Sequence, residues 1–266
     1  MPSYLTKQEN KISKEFQTKG FIVRNVASNI YIKKIQKFFF DFCIKELKLS
    51  KKLKPTLLLN NFHKVKLRKD LNLFRLKLIN RMINSKQLKQ FYYLAAKEYL
   101  DILVGNELVM QNRINLSIQL PNDESSLLAV HSDVWSGDSP FEVVVWIPLV
   151  NCYKTKSMYI LPPKKNIKFS KKFKNISKKN SEEIFKYIKK DVKWINIKLG
   201  QILIFNQSFP HGNIANREKE TRRSLNCRFK NIFTPYGDKK IGEFFEPITL
   251  RKISEIGMDY NLPKIK

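Results

Sequence analysis

At Leu108 the hydrophobic period of this chain changes, and that switch limits the architecture more than any other feature. Before it, apolar residues recur at helical spacing. Leu5, Ile12 and Phe16 share one face and Gly20 stops the helix. A short strand at Phe21 to Val23 follows, and Ser28 caps a second helix striped by Ile35, Phe38, Phe39 and Phe42. After a lysine-rich loop containing Pro55, a third helix carries Leu71, Phe74, Leu78 and Met82. A fourth carries Leu88, Tyr92, Ala95, Tyr99 and Ile102 and ends at Gly105. After Leu108 come blocks rich in β-formers: 108–120, 141–150, 157–161, 192–197, 201–205 and 222–233. Helices first and strands afterwards predict a mainly β chain, a double-stranded β-helix (jelly-roll) barrel backed by N-terminal helices. The expected organisation is a single domain over 1–266, with helical support in 1–106 and the barrel in 107–233. A lysine-rich insertion interrupts the barrel at 163–193, and an extension over 234–266 holds one helix near Leu250 to Ile256.

Only three histidines occur, and two of them lie in the strand-rich half. His131 stands two residues before Asp133 in LLAVHSD, and residues two apart on a strand point to the same side. His211 follows the apolar run Gln201 to Phe205, which opens after Gly200 and closes at Pro210, the pattern of a buried strand ending in a turn. Together the three side chains make a 2-His-1-carboxylate face, suited to Fe(II) with positions left open for a chelating cosubstrate and oxygen. His63, in a connecting loop with no partner at ligand spacing, reads as structural or exposed.

From Arg222 to Phe229 polar and other residues alternate, so Arg222, Ser224, Asn226 and Arg228 share one face and Arg223 belongs to the other. A guanidinium with a nearby hydroxyl is a bidentate receptor for a carboxylate, which suggests an anion held beside the metal.

Several segments then resemble one family. HSDVWSGDSPFEVVVWIPLV from His131, SMYILP from Ser157, GQILIFNQSFPHG from Gly200, RRS at Arg222 and KGFIVRNV from Lys19 are similar to the phytanoyl-CoA dioxygenase-like branch of the Fe(II)/2-oxoglutarate oxygenases. The likeness is greatest to the subgroup found sporadically in carbohydrate-biosynthesis clusters. Where the broader family has a proline-glycine-serine-histidine turn, this chain reads LPPKKN from Leu161. The resemblance implies His131, Asp133 and His211 as iron ligands, with Arg222 and Ser224 on the distal carboxylate of 2-oxoglutarate, and O2 as co-reactant. It also implies hydroxylation or oxidation of a small metabolite, a sugar, nucleotide sugar or glycan precursor. Trp135, Ser136, Asp138 and Ser139, in the loop leaving the iron motif, and Arg228 are the expected substrate contacts: an indole stacks on a sugar face while hydroxyls and a carboxylate bind its hydroxyl groups.

Charge offers a competing reading. The formal net charge is +28, a value ordinarily associated with nucleic acid or anionic membranes. Yet lysines supply 41 of the basic residues and arginines only 10, in a chain rich in Asn and Ile, as expected of an AT-rich genome. Arginine dominates phosphate and base recognition, so nucleic acid is disfavoured, while an acidic substrate stays open. A basic polyanion-binding module on a relict barrel and a cupin-type sugar isomerase or epimerase are the alternatives. The latter more often shows H-x-H and an additional glutamate. Three scattered cysteines form neither a disulfide framework nor a zinc cluster. No long apolar run or signal region is present, so the expected location is the cytoplasm, with the oligomeric state open.

Overall fold

The computed structural model describes residues 4–65, 71–176 and 178–263. The helical layer consists of α1 (Lys7–Lys19), α2 (Asn29–Glu46), α3 (Pro55–Asn60), α4 (Leu71–Ile83) and α5 (Lys86–Leu103), with β1 (Phe21–Asn25) after the first helix. The boundaries follow from caps. Thr6 and Glu9 close a reciprocal capping box on α1, and Gly20 ends it in the left-handed conformation at φ 79°. Ser28 accepts from the Ile30 amide to begin α2, and Ser85 does the same for α5 through Leu88. The segment read as a lysine-rich loop is helical at α3, because Pro55 sits at a first-turn position where its missing N–H costs nothing.

Seven strands form the larger antiparallel sheet. β2 (Leu108–Gln111), β3 (Asn115–Gln119), β4 (Val143–Pro148), β7 (Gln201–Asn206), β9 (Arg222–Asn231) and β10 (Phe245–Thr249) join β1 in the order β1-β7-β4-β9-β2-β10, with β3 also on β9. β10 lies in the extension and pairs with β2, a strand the sequence pattern did not reveal. The smaller antiparallel sheet has β5 (Tyr159–Ile160) between β6 (Lys193–Trp194) and β8 (His211–Gly212). The helices cover one face of the larger sheet: the buried Tyr92 hydroxyl of α5 donates to the Val145 carbonyl at 2.6 Å, and Gln36 of α2 donates to Leu149 O at 2.9 Å. These bonds satisfy polar groups inside an otherwise apolar interface.

The insertion is neither a loop nor unstructured. It folds as α6 (Pro163–Ser170), α7 (Phe173–Ile176) and α8 (Ser181–Ile188) over its own core, in which Phe169, Ile176, Ile184 and Ile188 pack on Val130, Tyr159 and Leu161 of the smaller sheet. Asn180 caps α8 in a capping box with Glu183. The extension carries α9 (Lys252–Met258), close to the expected helix. All three cysteines are buried and free. No helix among the described residues is long and apolar enough to cross a membrane.

Candidate metal centre and its cavity

His131 is not in a regular strand. It forms a single bridge with His211, each amide donating to the other's carbonyl at 3.0 and 2.8 Å. Ser132 between the two motif residues is extended (φ −129°, ψ 131°), and that one residue suffices to put His131 and Asp133 on the same side. The Asp133 amide continues the pairing to Gln207 O at 3.2 Å, after which the chain tightens into the 3-10 turn Asp133–Ser136.

Three ligand atoms converge. His131 Nε2 is 3.8 Å from Asp133 Oδ1, His211 Nε2 is 3.7 Å from Asp133 Oδ2, and all three ligand atoms lie within 4.8 Å of one another. The Nδ1 atoms face the carbonyls of Ala129 and Phe209 at 2.8 and 2.9 Å. A carbonyl can only accept, so each Nδ1 carries the proton and each Nε2 presents a lone pair toward the carboxylate, the tautomer a metal ligand needs. Burial, then the neighbouring His131, lowers His211 to about 4, which keeps it neutral near pH 7.

A cavity of about 580 Å³ opens on this cluster, between the smaller sheet and β9 of the larger one. Arg222 lines it, 3% exposed, and its guanidinium donates only to neutral groups: Ser117 Oγ at 2.8 Å and Ser157 O at 3.1 Å. Its Nε is buried without a partner. Burial lowers this group to about 10, the mark of a cation removed from water without a counter-charge. Ser224 sits in register with Ser117, and its buried hydroxyl also has no partner. Of the two expected carboxylate contacts, Arg222 lines the cavity and Ser224 does not.

Arg223 goes the other way, into the helical layer, with its guanidinium 3.8 Å above the Phe62 ring and near Cys43 Sγ. Arg228 lines the cavity, and its Nη2 donates to Asp133 Oδ1 at 2.7 Å. The other expected substrate contacts do not line this cavity. Trp135 lies outside it, 39% exposed, stacked on Phe169 and tilted against Phe173 of the insertion. Ser136 is exposed. Asp138 is buried and paired with Lys239, while the Ser139 hydroxyl donates to Pro235 O at 2.6 Å. Both side chains are thus bonded to the C-terminal extension.

Several cavity residues were missed. Arg75 of α4 and Ser117, Ser125 and Ser126 reach it from the helical layer, β3 and the loop after it, together with Asn115, Asn226 and Asn213. Only Asn226 had a signal, its place on the polar face of β9; the rest depend on how layers meet. His63 lies on a separate surface cavity and bonds Thr221 Oγ1 through Nδ1 at 3.0 Å.

No family model and no curated protein matches the sequence. Solved structures do. The non-heme monooxygenase ThoJ in its nickel complex aligns over 91% of this chain and 85% of its own, with 12% identity and a TM-score of 0.59. The non-heme alpha ketoglutarate dependent carbocyclase SnoK from nogalamycin biosynthesis aligns over 94% and 100%, with 12% identity and a TM-score of 0.52. HygX from Streptomyces hygroscopicus, with nickel and 2-oxoglutarate bound, aligns over 89% and 90%, with 11% identity and a TM-score of 0.52. At such identities the likeness is one of fold, and it agrees with the jelly-roll barrel expected from the switch of period at Leu108.

Proposed function

We propose that this chain is a non-heme Fe(II)- and 2-oxoglutarate-dependent oxygenase, folded as one domain. The observation that carries this reading is the meeting, in one cavity, of the His131, Asp133 and His211 cluster with Arg222, a buried cation whose bonds go only to neutral groups. A metal needs the first and the distal carboxylate of 2-oxoglutarate the second. The three solved structures of like fold add support, since SnoK is named as alpha ketoglutarate dependent and HygX holds 2-oxoglutarate.

His131, Asp133 and His211 would hold the iron. Iron held there would supply the chemistry that couples oxidative decarboxylation of 2-oxoglutarate by O2 to oxidation of a C–H bond. Arg222 and Ser224 orient the cosubstrate by its far carboxylate, and the carbonyls of Ala129 and Phe209 keep both imidazoles in the ligating tautomer. Because Asp133 occupies its position with a carboxylate, a halide has no vacant place among the protein ligands, which favours oxidation over halogenation.

The substrate reading is a small polyhydroxylated metabolite: a sugar, nucleotide sugar or glycan precursor, within the phytanoyl-CoA dioxygenase-like branch. Supporting it, the cavity wall combines amides and hydroxyls at Asn115, Ser125, Ser126 and Asn226 with the Trp146 indole and Phe205 ring, polar and flat surfaces of the kind that bind a sugar. Turnover of 2-oxoglutarate to succinate against a panel of nucleotide sugars tests the class and the substrate together. Asp133→Ala is expected to abolish coupled turnover with the fold intact; coupled product at the wild-type rate in that variant refutes the ligand set.

A further inference from the structure

Asp133 is tied to the C-terminal extension through alternating charges. Its Oδ1 accepts from Arg228 at 2.7 Å, the same guanidinium nitrogen lies 3.4 Å from Asp138 Oδ2, and Lys239 Nζ lies 2.8 Å from Asp138 Oδ1. The Asp138 side chain is 1% exposed. The Phe244 ring stands beneath both cations, 5.4 Å from Arg228 and 5.0 Å from Lys239.

Backbone contacts hold the two segments together. The Asp238 amide donates to Gly137 O at 2.8 Å, and Ser139 donates to Pro235 O at 2.6 Å. A Cβ on Gly237 would stand 2.2 Å from Gly137 O, so only glycine permits this approach.

The charge order has a consequence at Asp133. A guanidinium serving Asp133 alone would neutralise the carboxylate and compete with a metal for it. Here Asp138 shares that guanidinium and Lys239 balances Asp138, so Arg228 can take Oδ1 while Oδ2, toward His211, stays available.

We propose that Asp138 and Lys239 are positioning residues of the metal centre, and that the segment Pro235–Lys239 is a working part of it. This rests on reading His131, Asp133 and His211 as a metal site. Partners one shell beyond metal ligands set ligand orientation, and their loss costs about 10- to 100-fold in affinity.

The test is Ni(II) binding to the apo protein by calorimetry, with visible spectra of the Co(II) form. Asp138→Asn and Lys239→Met are expected to raise the Ni(II) Kd about tenfold or more and to shift the Co(II) bands. Lys239→Arg, which keeps the charge, should return both toward wild type. Lys239 is partly exposed, with its ammonium 5.0 Å from the Phe244 ring, and melting of the apo form checks that each variant is folded before its Kd is compared. Lys252→Met, at an exposed ion pair on α9, is the control. A Kd and bands indistinguishable from wild type in both Asp138→Asn and Lys239→Met, or tighter binding, overturn the proposal. Wild-type affinity in Asp133→Ala is a different result, and it overturns the metal reading itself.

Discussion

Two adjacent arginines on β9 show how much a single residue's surroundings decide. Arg222 and Arg223 are both buried with guanidinium nitrogens that have no partner, yet one lines the cavity and the other lies on an aromatic ring. Truncating a cation that serves a buried carboxylate costs about 3–5 kcal/mol, so Arg222→Ala should raise the KM for 2-oxoglutarate by about 100-fold or more. Arg223→Ala should lower the melting temperature instead and leave that KM near wild type. The opposite ranking in steady-state kinetics would refute the alternating register. Lys230, on the same strand, donates to Thr234 O at 2.6 Å, with its ammonium 3.3 Å from the Tyr236 ring centroid. Burial lowers it from 10.5 to about 8. Its folded value is depressed, so the unfolded chain binds the proton more strongly. The resulting stability is present above pH 10.5 and is lost as pH falls through 8. Melting curves across that window should show wild type gaining on Lys230→Met as pH rises, and a constant gap would contradict the assignment.

At the scale of elements, the legible parts were those with a local cause. Gly20 and Ser28 announce helix ends, and the alternation from Arg222 onward announces the polar face of β9. What stayed hidden depends on contacts distant in sequence. β10 is defined by pairing with β2, more than a hundred residues earlier, and Asp138 and Ser139 are turned from the cavity by residues 235–239. Among the lysines of the insertion, Phe169, Ile176, Ile184 and Ile188 form an apolar stripe that packs on the smaller sheet. That stripe makes it a packed element. Phe169→Ala should therefore destabilise the protein by about 3–5 kcal/mol in denaturant melts, as for a buried aromatic. No described residue of the insertion lines the cavity. Neutralising Lys171, Lys172, Lys174, Lys178 and Lys179 together should thus leave kcat/KM unchanged at low and high salt, because exposed charges are screened and contribute little each. A loss at low salt alone would make the insertion an electrostatic guide.

For the whole molecule, the site is assembled from parts that only the finished fold brings together. His131 and Asp133 precede His211 by some eighty residues, and Arg222 arrives on a different sheet from the histidine bridge. The unfolded chain therefore has no preformed site, and a cation bound by the triad stabilises the folded state alone. At a free concentration near 100 times Kd that linkage is worth about 2.7 kcal/mol. For a chain of this size each kcal/mol moves the melting temperature by roughly 2–4 °C. Saturating Ni(II) should consequently raise the melting temperature of the apo protein by roughly 5–10 °C, and a chelator should reverse the shift. Asp133→Ala, measured in the same scan, should show almost none of it. A shift of equal size in that variant would place the metal elsewhere on the molecule.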